Sequence, residues 1–297
     1  MIIENINITY LNGNLIFKLF ILIKIKSLTL YLTIAYIVFA RMVKEESIMP
    51  ELELKNEELC ITGIEELDVL LGGGIPTGST VLVVGSSGSG KTTLCMQYLI
   101  NGAKQGERGV FFTITEPLFK LTKNMESFDF YDKKLIESGM VNIIDLRIIS
   151  ERLGLDTEKY TVEDASALLD ILRDIAEELN VKRLIIDSIT ALCYRLQSPE
   201  MIRDFIFKLG SSLAAMKCTT LLTSEIPPRK FTYSQYGIEE FISDGILFLG
   251  DIERKGDLIR TFQIVKMRGA AHSRTKSAMS ISSINGVELT PLLKSRE

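Results

Sequence analysis

The residues with the clearest chemical meaning run Gly85-Ser86-Ser87-Gly88-Ser89-Gly90-Lys91-Thr92-Thr93, a match to G-x-x-x-x-G-K-[ST]. A polyphosphate is too strongly charged to be held without donors, and here the backbone can supply them. Glycines let the chain wrap closely around phosphate with successive N–H groups pointing inward. The positive end of a following helix adds attraction. In this arrangement Lys91 reaches the β- and γ-phosphates and the Thr92 hydroxyl ligates magnesium. Further along, Arg183-Leu184-Ile185-Ile186-Asp187-Ser188 is an apolar run ending in a carboxylate. That places Asp187 at the carboxyl edge of a sheet, able to hold magnesium through water. Glu116 ends another apolar run and would face the same crevice, where hydrolysis needs a group to orient and deprotonate water; the alternative is a solvated loop acid before Pro117. Thr223-Ser224-Glu225 ends a third and allows two readings, a γ-phosphate sensor and, more in keeping with how common Ser and Thr are in loops, an ordinary polar strand end. Lys266 and Arg268, two apart on a strand, project to one face. From the residues alone, that pair reads as a solvated basic edge that discourages strand pairing between molecules.

These residues need an alternating frame of buried strands and helices. Val81–Val84 precedes the glycine loop and helix 91–103 follows it. Strand 110–115, a helix from Leu118 to Phe128, strand 141–146 and an amphipathic helix between Val162 and Leu179 come next. Strand 184–186, helix 200–217 and strand 219–223 continue the alternation. A polar loop covers 225–237. A hairpin (245–249 with 260–266) turns around Lys255-Gly256-Asp257, and 278–283 pairs with 287–290 across Asn285-Gly286. The expected class is α/β: a mostly parallel twisted sheet flanked by helices, with an antiparallel C-terminal edge.

With 297 residues the chain can bury one large core. A net charge of −4 gives no global basic field for nucleic acid. Four scattered cysteines and a single histidine, His272, suit neither a disulfide frame nor a multi-histidine metal site. Residues 1–48 differ from the rest and form a separate hydrophobic extension. Leu15–Ala40 is long enough to span a bilayer, which needs roughly 20 apolar residues, but Lys18, Lys24 and Lys26 interrupt it. Three readings stay open: a misassigned start with Met42 or Met49 as initiator, a membrane or interfacial anchor, and a signal peptide ending at Val38-Phe39-Ala40. The expected location is the cytoplasm, with membrane association only through 15–40.

The ordered set Gly63-Ile64…Leu67-Asp68, Gly73-Gly74-Ile75-Pro76-x-Gly78-Ser79, the glycine loop, Gly237-Ile238-Glu239-Glu240-Phe241-x-x-Asp244-Gly245 and Lys266-Met267-Arg268-Gly269 resembles the KaiC-like branch of the RecA superfamily. The resemblance covers about residues 50–292 as one ATPase module. It implies a RecA-type P-loop core, ATP with magnesium, and a ring, usually hexameric, with ATP between neighbouring subunits. It also reverses the reading of Lys266 and Arg268, which match a basic pair that reaches the adjacent subunit's γ-phosphate like an arginine finger in trans. Glu116 matches the catalytic acid position, with one departure: family members carry two successive glutamates there and this chain has Thr115-Glu116. Three functions then compete. One is a regulatory ATPase acting on an unidentified protein partner through nucleotide-dependent assembly. Another is an ATP-binding structural module resembling those at the base of the archaeal motility motor, with little turnover. The third is a recombinase-like DNA binder with Arg229, Lys230, Arg274 and Lys276 lining a pore, which the acidic chain disfavours.

Overall fold

Thr80–Gly85 (β3) is buried at every residue and occupies the middle of a nine-stranded sheet. The computed structural model describes residues 58–152, 154, 159–196, 198–228 and 232–292. The extension 1–48, with its open readings, lies outside the described residues, as do Arg229 and Lys230. Among the described residues no helix is long and apolar enough to cross a membrane.

The other strands of this sheet are Gly109–Thr113 (β4), Val141–Asp145 (β5), Arg183–Asp187 (β6), Thr219–Glu225 (β7), Gly245–Arg254 (β8), Asp257–Met267 (β9), Ser277–Ser282 (β10) and Gly286–Pro291 (β11). Their order is β11-β10-β9-β8-β3-β7-β6-β4-β5. Pairing from β8 through β5 is parallel, and β9, β10 and β11 add an antiparallel edge. β3, β4 and β6 show no polar alternation because both faces are covered, as parallel sheets require. A separate two-stranded ribbon pairs Leu59–Cys60 (β1) with Ile75–Pro76 (β2).

Glu65–Leu71 (α1) and Lys91–Lys104 (α2) pack on one face of the sheet, with Leu67, Leu94 and Tyr98 in a core shared with Val83, Phe111 and Ile185. On the other face lie Val162–Glu178 (α6) and Pro199–Ala215 (α8), whose Leu168, Leu172, Phe205 and Leu209 meet Leu82, Val84 and Ile186. The capping box at Thr161 and Asp164 starts α6, and Ser198 followed by Pro199 starts α8.

Shorter helices are Leu118–Met125 (α3), Lys133–Glu137 (α4), Leu146–Arg152 (α5), Ile189–Cys193 (α7) and Glu239–Ile242 (α9). The hairpin strands β8 and β9 are longer than the sequence suggests. They meet at Lys255 and Gly256, both at positive φ (53° and 87°), which suits the right-handed twist of the pair. β4, in contrast, stops at Thr113, two residues early. There the Thr113 hydroxyl donates to the Glu116 carbonyl at 2.6 Å and closes a turn before Pro117.

Candidate functional site

The glycine loop leaves β3 and enters α2 through Gly90, with Gly88 at φ 78° and Gly90 at φ 102°. Both lie in the region that side chains disfavour. Space is limiting as well: a Cβ on Gly85 would sit 2.5 Å from Ser89 Oγ and 2.6 Å from the Leu249 carbonyl, and one on Gly90 would meet Ile281 Cδ1 at 2.4 Å. The loop bounds a cavity of about 410 Å³ lined by Ser87, Gly88, Gly90, Lys91, Thr92 and Thr93. From the surrounding strand ends come Thr115, Asp187, Glu225, Arg260 and Ile281.

Lys91, mostly buried, donates Nζ to the carbonyls of Gly85 (2.8 Å) and Ser86 (2.9 Å). Burial pushes its ammonium below the usual lysine range, while the charges of Glu225 and Asp187 work in the opposite direction. A cation held by carbonyls on the rim of an N–H-lined turn is matched to an anionic guest. The Thr92 hydroxyl donates to Asp187 Oδ2 at 2.6 Å and Thr223 donates to Oδ1 at 2.6 Å. Thus the two residues expected at magnesium are already in contact, although Thr92 opens α2 and Asp187 ends β6, with β7 between β6 and β3. Their hard oxygen donors suit magnesium, which keeps most of its waters and takes only one or two protein ligands.

Glu116 is not in the cavity wall. Its Oε1 accepts from Asn124 Nδ2 at 2.8 Å and lies 3.9 Å from Lys120 Nζ, both on α3. The neighbour that lines the cavity is Thr115. Of the sensor residues, Thr223 and Ser224 are buried and Glu225 is exposed on the cavity side.

Lys266 and Arg268 lie at the far end of the sheet. Met267 pairs with Gly245, which pairs with Val81, whereas Gly85 pairs with Leu249. Four residues of strand therefore separate the two levels, about 13 Å along β3. Arg268 falls one residue past β9 rather than on it. Lys266 Nζ donates to the carbonyls of Glu240 (3.1 Å) and Ser243 (2.5 Å), and Arg268 reaches Asp244 Oδ1 and the Phe241 carbonyl, both at 3.3 Å. Burial and the Arg268 charge lower the affinity of Lys266 for its proton. The pair cannot serve its own chain's phosphate loop.

Arg260 and Ile281 escaped sequence reasoning. Arg260 is exposed near the start of β9, where a lone cation looks like solvated surface, and Ile281 looks like an ordinary strand residue. The sequence carries no signal for either; the structure brings them in because Leu249 pairs with both Gly85 and Phe262, which puts this part of β9 at the loop level.

The family model described as "ATPase: KaiC" matches residues 60–294. UPF0273 protein MK0039 of Methanopyrus kandleri is 34% identical over 233 residues, covering 77% of this chain and 91% of its own. The circadian clock oscillator protein KaiC of Parathermosynechococcus lividus is 34% identical over 235 residues, covering 78% of this chain but only 42% of the clock protein. The solved KaiC-like protein PH0186 of Pyrococcus horikoshii OT3 superposes with a TM-score of 0.67 at 35% identity, over 79% of this chain and 99% of its own. That neighbour carries the same RecA-type core, with its mostly parallel sheet and antiparallel edge. With the glycine loop, Asp187 and the family match in the same 60–294 segment, the chain belongs to the KaiC family of ATPases.

Proposed function

We propose that this protein binds ATP with magnesium and hydrolyses it at a site completed by a second copy of the chain, so that assembly follows nucleotide state. The observation carrying this reading is the division of the cationic groups. Lys91 lines the cavity, while Lys266 and Arg268 stand exposed or half-buried at the opposite end of the sheet. Cations tethered at a fixed spacing and away from their own loop fit a role across a subunit boundary, where they would offset charge on a γ-phosphate. The module 50–292 is the unit that repeats in such an assembly, a hexamer-type ring by resemblance.

Within one chain, Gly85 to Thr93 cradle the phosphates and Lys91 faces the β- and γ-oxygens. Thr92 and Asp187 would hold magnesium, which when bound neutralises charge on those oxygens. Glu116, the acid that the resemblance assigns to the water, would have to leave Asn124 and Lys120 to enter the cavity.

Turnover of ATP by the full chain, with and without magnesium, tests the reading. We expect magnesium-dependent phosphate release by the wild type and none by Lys91→Ala. A wild type that binds ATP without turnover would favour the structural-module alternative. Salt-sensitive binding to single-stranded DNA would instead favour the recombinase-like one.

A further inference from the structure

We propose that Glu225 is the carboxylate that takes the proton of the attacking water, in place of Glu116; this rests on the hydrolysis reading above. Among the described residues two carboxylates line the phosphate cavity, Asp187 and Glu225. Asp187 is buried, and each of its oxygens already accepts a threonine hydroxyl. It belongs to the metal end of the cavity. Glu225 is exposed, and its carboxylate has no hydrogen bond or ion pair among the described residues.

Its backbone, however, is fixed. Glu225 pairs with Gly85 across β7 and β3, and its N–H donates to Thr190 Oγ1 at 2.9 Å. The next N–H, of Ile226, donates to the Gly85 carbonyl at 3.3 Å. The carboxylate is therefore anchored beside the first residue of the glycine loop, whose carbonyl also accepts from Lys91 Nζ, while its tip stays free to meet a water molecule.

The resemblance puts this function just after β4. There the inward residue is Thr115, whose hydroxyl is too weak a base to take a proton from water. Glu116 points out to α3, held by Asn124 and Lys120. The chain thus has an acid after β4 that is turned away from the cavity and a free acid on the neighbouring wall of it.

In the step proposed, the water oxygen bonds to the γ-phosphorus as the bond from that phosphorus to the β,γ-bridging oxygen breaks. ADP leaves with the bonding pair, and the proton of the water passes to the Glu225 carboxylate.

Steady-state ATP hydrolysis and binding of a fluorescent ATP analogue by the full chain test this. Glu225→Gln should lower turnover about 100-fold with the affinity for the analogue nearly intact. Glu116→Gln should cost far less. Thr115→Glu, introduced into the Glu225→Gln background, should restore much of the lost rate by returning an acid to the cavity. Turnover that survives Glu225→Gln but is lost in Glu116→Gln overturns the proposal and leaves the hydrolysis reading standing. Loss of analogue binding in Glu225→Gln also overturns it, making the residue part of the binding wall. A wild type with no turnover at all removes the hydrolysis reading, and this proposal with it.

Discussion

Thr92 and Asp187 are 95 residues apart in the chain and joined by a 2.6 Å hydrogen bond from the threonine hydroxyl to the carboxylate. The contact exists because β6 and β3 end at the same edge of a parallel sheet, with β7 between them and Thr223 holding the other carboxylate oxygen. Replacing Asp187 by Asn keeps the shape and removes the charge. We expect the magnesium dependence of nucleotide binding to vanish and turnover to fall roughly 100-fold. Titrations of a fluorescent ATP analogue with and without magnesium check this, and an unchanged magnesium effect would count against the assignment.

Lys91 carries a pH signature. Burial holds its folded-state pKa below the ordinary lysine value of 10.5. Between the folded and unfolded values the unfolded chain binds a proton that the folded chain does not, so stability rises with pH across that window. Melting curves of nucleotide-free wild type and Lys91→Met, followed upward from neutral pH toward 10.5, should show the wild type gaining on the variant. A constant difference would mean that the ammonium is not penalised by its surroundings.

Gly90→Ala combines a backbone at φ 102° with a Cβ driven into Ile281. The expected cost is about 1–3 kcal/mol of stability. The loop would also lose its fit to phosphate. Thermal unfolding with and without Mg-ATP separates the two effects: the drop in nucleotide-free melting temperature reports the first, and a lost stabilisation by Mg-ATP reports the second.

Arg260 offers a cation at the wall of the cavity from the antiparallel edge. Arg260→Ala should weaken ATP affinity by roughly tenfold, the scale of one charge-assisted hydrogen bond. Calorimetric titration of the full chain measures this directly.

The sequence makes the nucleotide machinery legible where function depends on local spacing. Gly85 to Thr93 can be read without a fold, because the loop, its lysine and its hydroxyl lie next to one another. Asp187 becomes legible once a buried strand is seen to end in it. That β3, β4, β6 and β7 run parallel follows from apolar runs alternating with helices, whereas their order across the sheet does not.

What stayed hidden depends on where strands stop and how they pair. Whether Thr115 or Glu116 faces the cavity is decided by the Thr113 turn, which ends β4 before strand alternation can be applied. Arg260 enters the site only through the register of β8 against β9, which sets Arg260 opposite Asp251 and Phe262 opposite Leu249. Short helices such as α7 and α9 hold too few turns to show a period. The β1–β2 ribbon consists of two residues per strand, below any usable alternation.

A catalytic site shared between two copies of the chain is tested most directly by mixing two inactive variants. Lys91→Ala disables the phosphate loop and leaves Lys266 and Arg268 intact, whereas Arg268→Ala does the reverse. Each alone should show little ATP turnover. An equimolar mixture allowed to exchange subunits should regain about a quarter of the wild-type rate, since one boundary in four joins a sound loop to a sound pair. A mixture no more active than its separate components, or an Arg268→Ala protein with full activity, would contradict the account.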